Sequence, residues 1–220
     1  MDERALFEDK LKVSSSKSQT DPSKFTVTVE WTSPATVSNK QFMFCLYCYR
    51  REMNKNYSDY LYVETGKREY IFSLVAPRGY YDVRVVRNSG SYPEVYRLSK
   101  IFVGTPEDQA FEIVAEPQEG MLLVSFNRPA EQDDFIGLFD TDTLSMKNEY
   151  TVGLPYTPVG ECVMARFFPV DKNKIRPEKT YEIRYFRADS RVAYGWTSFD
   201  FAQIPFCFSN PITFPAEFFS

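Results

Sequence analysis

The chain has no histidine, and that one gap removes the usual neutral-pH proton shuttle and the commonest zinc ligand. Ser-His-Asp and Cys-His sites are excluded, so catalysis would have to rest on carboxylate, lysine, tyrosine or a bare nucleophile. No glycine-rich phosphate loop is present either. Basic dominance is also lacking. A formal net charge of −4 arises from 26 basic and 30 acidic side chains dispersed along the chain, without the basic face that nucleic acid demands. No run approaches the roughly 18 apolar residues of a membrane span. The opening Met1-Asp-Glu-Arg4 is charged and precedes no apolar core, unlike a secretion signal. The expectation is a soluble, cytoplasmic protein with reduced thiols, without cofactor, nucleic-acid partner or transmembrane segment, and reaching membranes only peripherally through a partner.

Cysteine is sparse as well. Of the four, Cys45 and Cys48 have the C-x-x-C spacing of a redox or metal half-site. They lie in Phe42-Met-Phe-Cys-Leu-Tyr-Cys-Tyr49, a strand-like run in which residues three apart point to opposite faces, so their sulfurs do not converge. Asp140 and Asp142 are two acids in a turn without the further oxygen ligands that calcium needs. No metal site and no catalytic residue is expected.

What the chain does have is rings. Aromatics make up 17% of the residues, with 20 Phe and 15 Tyr against only 9 Gly, a composition that favours stiff strands over long helices. Residues 3 to 12 carry a weak apolar stripe, Leu6, Phe7 and Leu11, that fits a short helix. Ser14 to Lys24, rich in serine, reads as a linker that adds little to a core. From Phe25 the pattern becomes short alternating runs between turn residues, beginning with Phe25-Thr-Val-Thr-Val-Glu-Trp31. Further strands are expected over residues 41–49, 57–63, 69–75, 80–87 and 96–103.

A polar break at Gly104-Thr-Pro-Glu-Asp-Gln109 is followed by a second series, over 111–115, 121–126, 135–139, 150–152, 162–168, 181–186 and 195–201. The two series repeat. Gly79-Tyr-Tyr-Asp-Val-Arg-Val-Val-Arg87 parallels Lys179-Thr-Tyr-Glu-Ile-Arg-Tyr-Phe-Arg187, and the runs at 41–47 and 134–139 also align. The organisation expected is all-β: an N-terminal helical or flexible segment over 1–24, a first sandwich over 25–104, a linker over 105–110, a second sandwich over 111–204, and an apolar tail over 205–220. The short linker implies two sandwiches packed in a fixed arrangement, with the tail across the second sandwich or the seam.

Asp133-Asp-Phe-Ile-Gly-Leu-Phe139, Tyr181-Glu-Ile-Arg-Tyr185 and Gly195-Trp-Thr-Ser-Phe-Asp-Phe201, in this order and spacing, resemble the SKICH domain. The first repeat is similar more loosely, with Cys45 or Leu46 near the place of Gly137 and Asn39-Lys40 in place of the aspartate pair. The resemblance implies two tandem immunoglobulin-like β-sandwich domains that recognise and localise protein partners without catalysis, as an adaptor or scaffold. Asp133 and Asp134 suit a turn entering a strand, and Gly137 a close approach there.

Such modules dock partners through a strand edge, a sheet face or an inter-domain surface. Candidate partner-binding side chains are Tyr47, Tyr49, Tyr60, Tyr62 and Tyr185, on the phase of their strands away from the core. Lys172, Lys174, Arg176 and Lys179 cluster in one loop and suit an acidic peptide or an inositol phosphate. The alternative is a ligand-binding module for phosphoinositide or for carbohydrate, the latter stacking on Trp31, Trp196 and the tyrosines.

Overall fold

The computed structural model describes residues 2–49, 57–118, 121–140, 157–159, 163–170, 176, 178–187 and 192–200. Two immunoglobulin-like β-sandwiches follow one another along the chain. In the first, β1 (Lys12–Lys17), β2 (Phe25–Glu30) and β5 (Glu69–Ile71) form one sheet, in the order β1-β2-β5. The opposing sheet, in the order β4-β3-β6-β7, contains β3 (Phe42–Cys48), β4 (Asp59–Tyr62), β6 (Gly79–Arg87) and β7 (Glu94–Val103). In the second sandwich, β8 (Ile113–Gln118), β9 (Met121–Phe126) and β12 (Ala165–Pro169) face β10 (Phe135–Asp140), β11 (Thr157–Pro158), β13 (Thr180–Phe186) and β14 (Ala193–Asp200). The orders are β12-β9-β8 and β11-β10-β13-β14, and every pairing is antiparallel.

The alternation in β2 explains its sheet directly. Phe25, Val27 and Val29 are buried while Thr26 and Thr28 are half-buried, so one face of a period-two strand enters the core. β3 is different, because nearly all of it is buried. Phe42, Phe44 and Leu46 enter the inter-sheet core with Trp31, Tyr70 and Val85. Met43, Cys45 and Tyr47 point the other way and are covered by Tyr57, Tyr62 and Tyr92. A strand covered on both faces reads as a continuous apolar run, as it does here. Cys45 and Cys48 accordingly sit in different clusters, one on each side of the sheet.

Strand register gives the internal repeat a physical form. Cys45 pairs with Arg84 and Tyr47 with Asp82 across β3 and β6; Gly137 pairs with Arg184 and Phe139 with Glu182 across β10 and β13. In each sandwich a buried arginine pairs with a buried acid two residues away and lies over a ring of the neighbouring strand. Arg84 is 4.1 Å from the Tyr47 centroid and Arg184 is 4.2 Å from that of Phe139. The arginine faces are thus hydrogen-bonded at their edges and stacked on their planes, which is how a guanidinium is carried into a protein interior.

The N-terminal segment differs from expectation. Only Arg4–Leu6 is helical, as a single 3-10 turn, and β1 occupies the stretch expected as a linker. Its serines need no apolar partner because an edge strand is held by its backbone ladder with its side chains toward solvent. Phe7 and Leu11 are both core residues, Phe7 stacked on Trp31 at 4.7 Å, and the Trp31 indole N–H donates to the Leu6 carbonyl at 3.0 Å. The strand expected over 150–152 and the tail over 205–220 lie outside the described residues.

The 105–110 segment is not a featureless linker. Thr105 caps a one-turn helix, α1 (Pro106–Gln109), in a reciprocal capping box with Asp108 and with proline at its first turn. Beyond it the two cores interlock. Val192, from the second sandwich, packs into the first core, while Phe102 of β7 packs against the second.

Gly79 makes this possible. Its φ is +141°, and a Cβ there would lie 2.6 Å from Val192 Cγ1 and 2.7 Å from the Ala193 carbonyl oxygen. Gly79→Ala is expected to cost about 2 kcal/mol or more through this overlap and the forced backbone. Gly90→Ala, with open space around it, is expected to be neutral within ~1 kcal/mol. Paired thermal or denaturant melts measure the difference, and equal midpoints would contradict the close approach.

Candidate protein-interaction site

The seam is organised by one carboxylate. Asp108 is 4% exposed. Its Oδ2 accepts from the Thr105 N–H and hydroxyl, both at 3.0 Å, and its Oδ1 accepts from Arg78 at 3.1 Å and from the Tyr194 hydroxyl at 2.8 Å. The donors come from the first sandwich, the helix cap and the second sandwich. Burial alone would raise this carboxyl, but the donors outweigh it and hold Asp108 below its ordinary value. The Tyr194 hydroxyl is pushed up to about 12, by burial first and then by its bond to Asp108. Arg128 completes the clasp by donating to the Glu107 and Asp108 carbonyls at 2.6 and 3.1 Å.

Rings continue the seam. Trp196 of β14 stacks on Tyr49 at 5.6 Å, and Lys100 lies over the same indole at 4.4 Å. Phe102 meets Tyr194 edge-on at 6.2 Å. Beside these contacts the seam opens into a groove of about 790 Å³ with Leu74, Pro77 and Val192 among its lining residues and with Lys24, Arg78, Arg187 and Glu131 as its charged groups. Arg187 bonds Glu131 and stacks over the Tyr194 ring at 4.6 Å.

The structure separates the tyrosines selected from sequence. Tyr47 is off the inter-sheet core as expected, yet it is buried, because Arg84 and Tyr57 cover it. Tyr49 is buried in the seam against Trp196. Tyr185 belongs to the core of the second sandwich, packed on Phe111 and Phe126, with its hydroxyl donating to the buried Asp134. These three are therefore not surface side chains. Period-two phase tells which way a residue points and not what lies over it. Tyr60 is 40% exposed and Tyr62 half-buried, so these two reach solvent on the edge strand β4.

The basic loop is not assembled within the described residues. Lys172 and Lys174 lie outside them. Arg176 is exposed and its backbone N–H donates to the Tyr181 hydroxyl at 2.8 Å, while Lys179 is half-buried with its N–H bonded to the Arg176 carbonyl. Asp142 lies outside the described residues, and of Asp140 only the backbone, at the end of β10, is described. Asp134 fulfils its expected turn role, accepting from the Glu131 N–H at 2.8 Å, and Asp133 takes a positive φ of 66°.

Sequence reasoning passed over the seam and the sheet edges. The Thr105-x-x-Asp108 box with Pro106 is a recognisable helix start, but its coupling to Tyr194 and Arg78 is tertiary and leaves no local pattern. Among the described residues, the exposed large apolar side chains are Tyr60, Ile71, Val114, Met164 and Phe167. Four lie on the edge strands β4, β5, β8 and β12, and Met164 immediately precedes β12. Also among these residues, no helix is long and apolar enough to cross a membrane.

Comparison with known proteins adds little beyond the architecture. No protein-family profile matches the chain, and no curated protein matches it. Among solved structures, the chain is similar to a two fibronectin type-III domain segment from chicken tenascin. The identity is 12%, with 85% of this chain and 95% of that one covered at a TM-score of 0.28.

Two outcomes follow from the site chemistry. Asp108, with its folded value depressed, contributes stability that is fully present above its ordinary range near pH ~4 and is lost as the pH falls below it. Asp108→Asn is expected to cost about 1–3 kcal/mol at neutral pH and to flatten the acid limb of melting temperature against pH; an unchanged limb would show the clasp to be energetically idle. Burial pushes the Cys45 thiol up to about 12, so iodoacetamide at mildly alkaline pH should leave Cys45 unmodified in the folded chain and modify it in denaturant. Peptide mass mapping reads this directly.

Proposed function

We propose that the chain is a non-enzymatic adaptor, two SKICH-like sandwiches that bind protein partners and localise them in the cytoplasm. The observation that carries this reading is the placement of exposed apolar side chains on strand edges. Phe167 of β12 is 49% exposed, Val114 of β8 50% and Ile71 of β5 52%. A sheet edge offers backbone donors and acceptors to an added strand, and neighbouring apolar side chains supply the contact area that fixes its register. The SKICH-like motifs of the second sandwich support the same role, and the absence of histidine from the whole sequence removes the commonest catalytic schemes.

The carbohydrate alternative gains no support from ring geometry. Trp31 is buried, and Tyr57, Tyr60 and Tyr62 meet at interplanar angles of 58° and 88°. These rings form no flat platform for a sugar face.

Affinity purification of the tagged chain from cytosol, with cross-linking and mass spectrometry, tests the adaptor reading. The expected result is a stoichiometric protein partner cross-linked near an edge and weakened by Phe167→Lys or Ile71→Lys, substitutions that leave the cores untouched. Failure to capture any stoichiometric partner would overturn it.

A further inference from the structure

The seam groove carries a charge pattern opposite to that of the chain. The protein bears a formal net charge of −4, yet the groove has three cations, Lys24, Arg78 and Arg187, and one carboxylate, Glu131. Each sandwich contributes. Lys24 precedes β2 and Arg78 precedes β6, whereas Glu131 and Arg187 flank the ends of β10 and β13 in the second sandwich.

The three cations are positioned in different ways. Arg78 is fixed by Asp108, itself buried, and its side chain keeps 32% of its surface exposed. Arg187 is held between Glu131 and the Tyr194 ring, with 23% of its side chain exposed. Lys24 is 45% exposed and bridges to Asp21 at 3.3 Å. Two of them are thus preorganised by seam contacts, which reduces the ordering cost of receiving an anion. Between them the lining is apolar, with half-buried Leu74 and Pro77 beside Val192.

A free inorganic anion would use the cations and leave the apolar lining unused. An acidic peptide uses both, and 790 Å³ lies within the ~300–1,000 Å³ range of pockets that enclose several side chains. We propose that this groove docks an extended acidic segment of a protein partner, with carboxylate side chains at Lys24, Arg78 and Arg187 and an apolar side chain on Leu74 and Pro77. The inference rests on the adaptor reading and names its second contact surface, distinct from the strand edges. Because both sandwiches build the groove, its occupant also bridges them and favours the closed seam.

Fluorescence polarisation on the full chain tests this with an array of labelled short peptides, each carrying one leucine flanked by Glu and Asp, by Ser, or by Lys. The acidic members are expected to bind, and their affinity to fall about tenfold or more between low salt and roughly 0.5 M salt. Lys24→Glu, at an exposed position, should weaken them about tenfold, and Arg187→Gln should weaken them as well. Lys12→Glu on the remote edge strand β1 should change nothing, and unchanged melting of each variant would confirm an intact fold.

Equal binding of the serine- or lysine-flanked peptides, indifference of the acidic ones to Lys24→Glu, or absence of binding by every acidic member would overturn the groove assignment. The adaptor reading is judged separately. If the affinity purification still captures its partner while the acidic peptides do not bind, the groove is refuted and the adaptor stands. If no partner is captured, the adaptor reading itself has failed.

Discussion

The two sandwiches meet through a buried carboxylate that accepts four hydrogen bonds from three parts of the chain. Asp108 caps its own helix through Thr105, receives Arg78 from the first sandwich and Tyr194 from the second. A buried charge is tolerable only when fully partnered, so these donors are mutually dependent. Arg78 without Asp108 has lost its anchor, and Tyr194 its acceptor. The interlock of Val192 and Phe102 gives the joint apolar area, but apolar contact is non-directional. The carboxylate supplies the direction.

The same logic recurs inside each sandwich. The outer faces of β3 and β10 would be solvent faces in a simple two-sheet stack, with polar residues alternating outward. Both carry an arginine and acid pair roofed by rings instead. Burial of Arg84 and Arg184 is tolerable because each guanidinium has a carboxylate at its edge and an aromatic face beneath it. The consequence for recognition is that the sheet faces are occupied by the protein's own side chains. What is left for a partner is the edges and the seam.

Much of the fold was legible because its strands are short, alternating and punctuated, and because the repeat restates the same order twice. β2, β6, β9, β10 and β13 announce themselves by period and β-branched or aromatic content. β1 did not, since Lys12-Val-Ser-Ser-Ser-Lys17 has almost no apolar signal and owes its conformation to the β2 ladder. The site was less legible for a related reason. Phase correctly turned Tyr47 away from the inter-sheet core, but burial there is decided by Tyr57 and Arg84, one ten residues away and the other on a neighbouring strand. Tyr185 was misread because its side of β13 is the core side, where Phe111 and Phe126 close over it. Arg78, Asp108 and Arg187 carry no motif, as their meaning exists only once the sandwiches are side by side.

Edges rich in apolar side chains are an aggregation hazard, and this chain restrains them in two ways. In the second sandwich the edge strands β8, β11 and β12 each contain a proline, Pro117, Pro158 and Pro169, which withholds a ladder donor from an incoming strand. In the first, the edges carry charge: Lys12 and Lys17 on β1, Asp59 on β4, Glu69 on β5, and Glu94, Arg97 and Lys100 on β7. Proline limits how many backbone bonds a partner strand can form, and like charges repel unselected ones. Selectivity then falls to side chains, to Phe167, Val114 and Ile71 at the edges and to the cations of the seam. A surface that discourages generic strand pairing while keeping a few apolar anchors exposed favours a partner chosen by its side-chain sequence over one that merely supplies a β-strand.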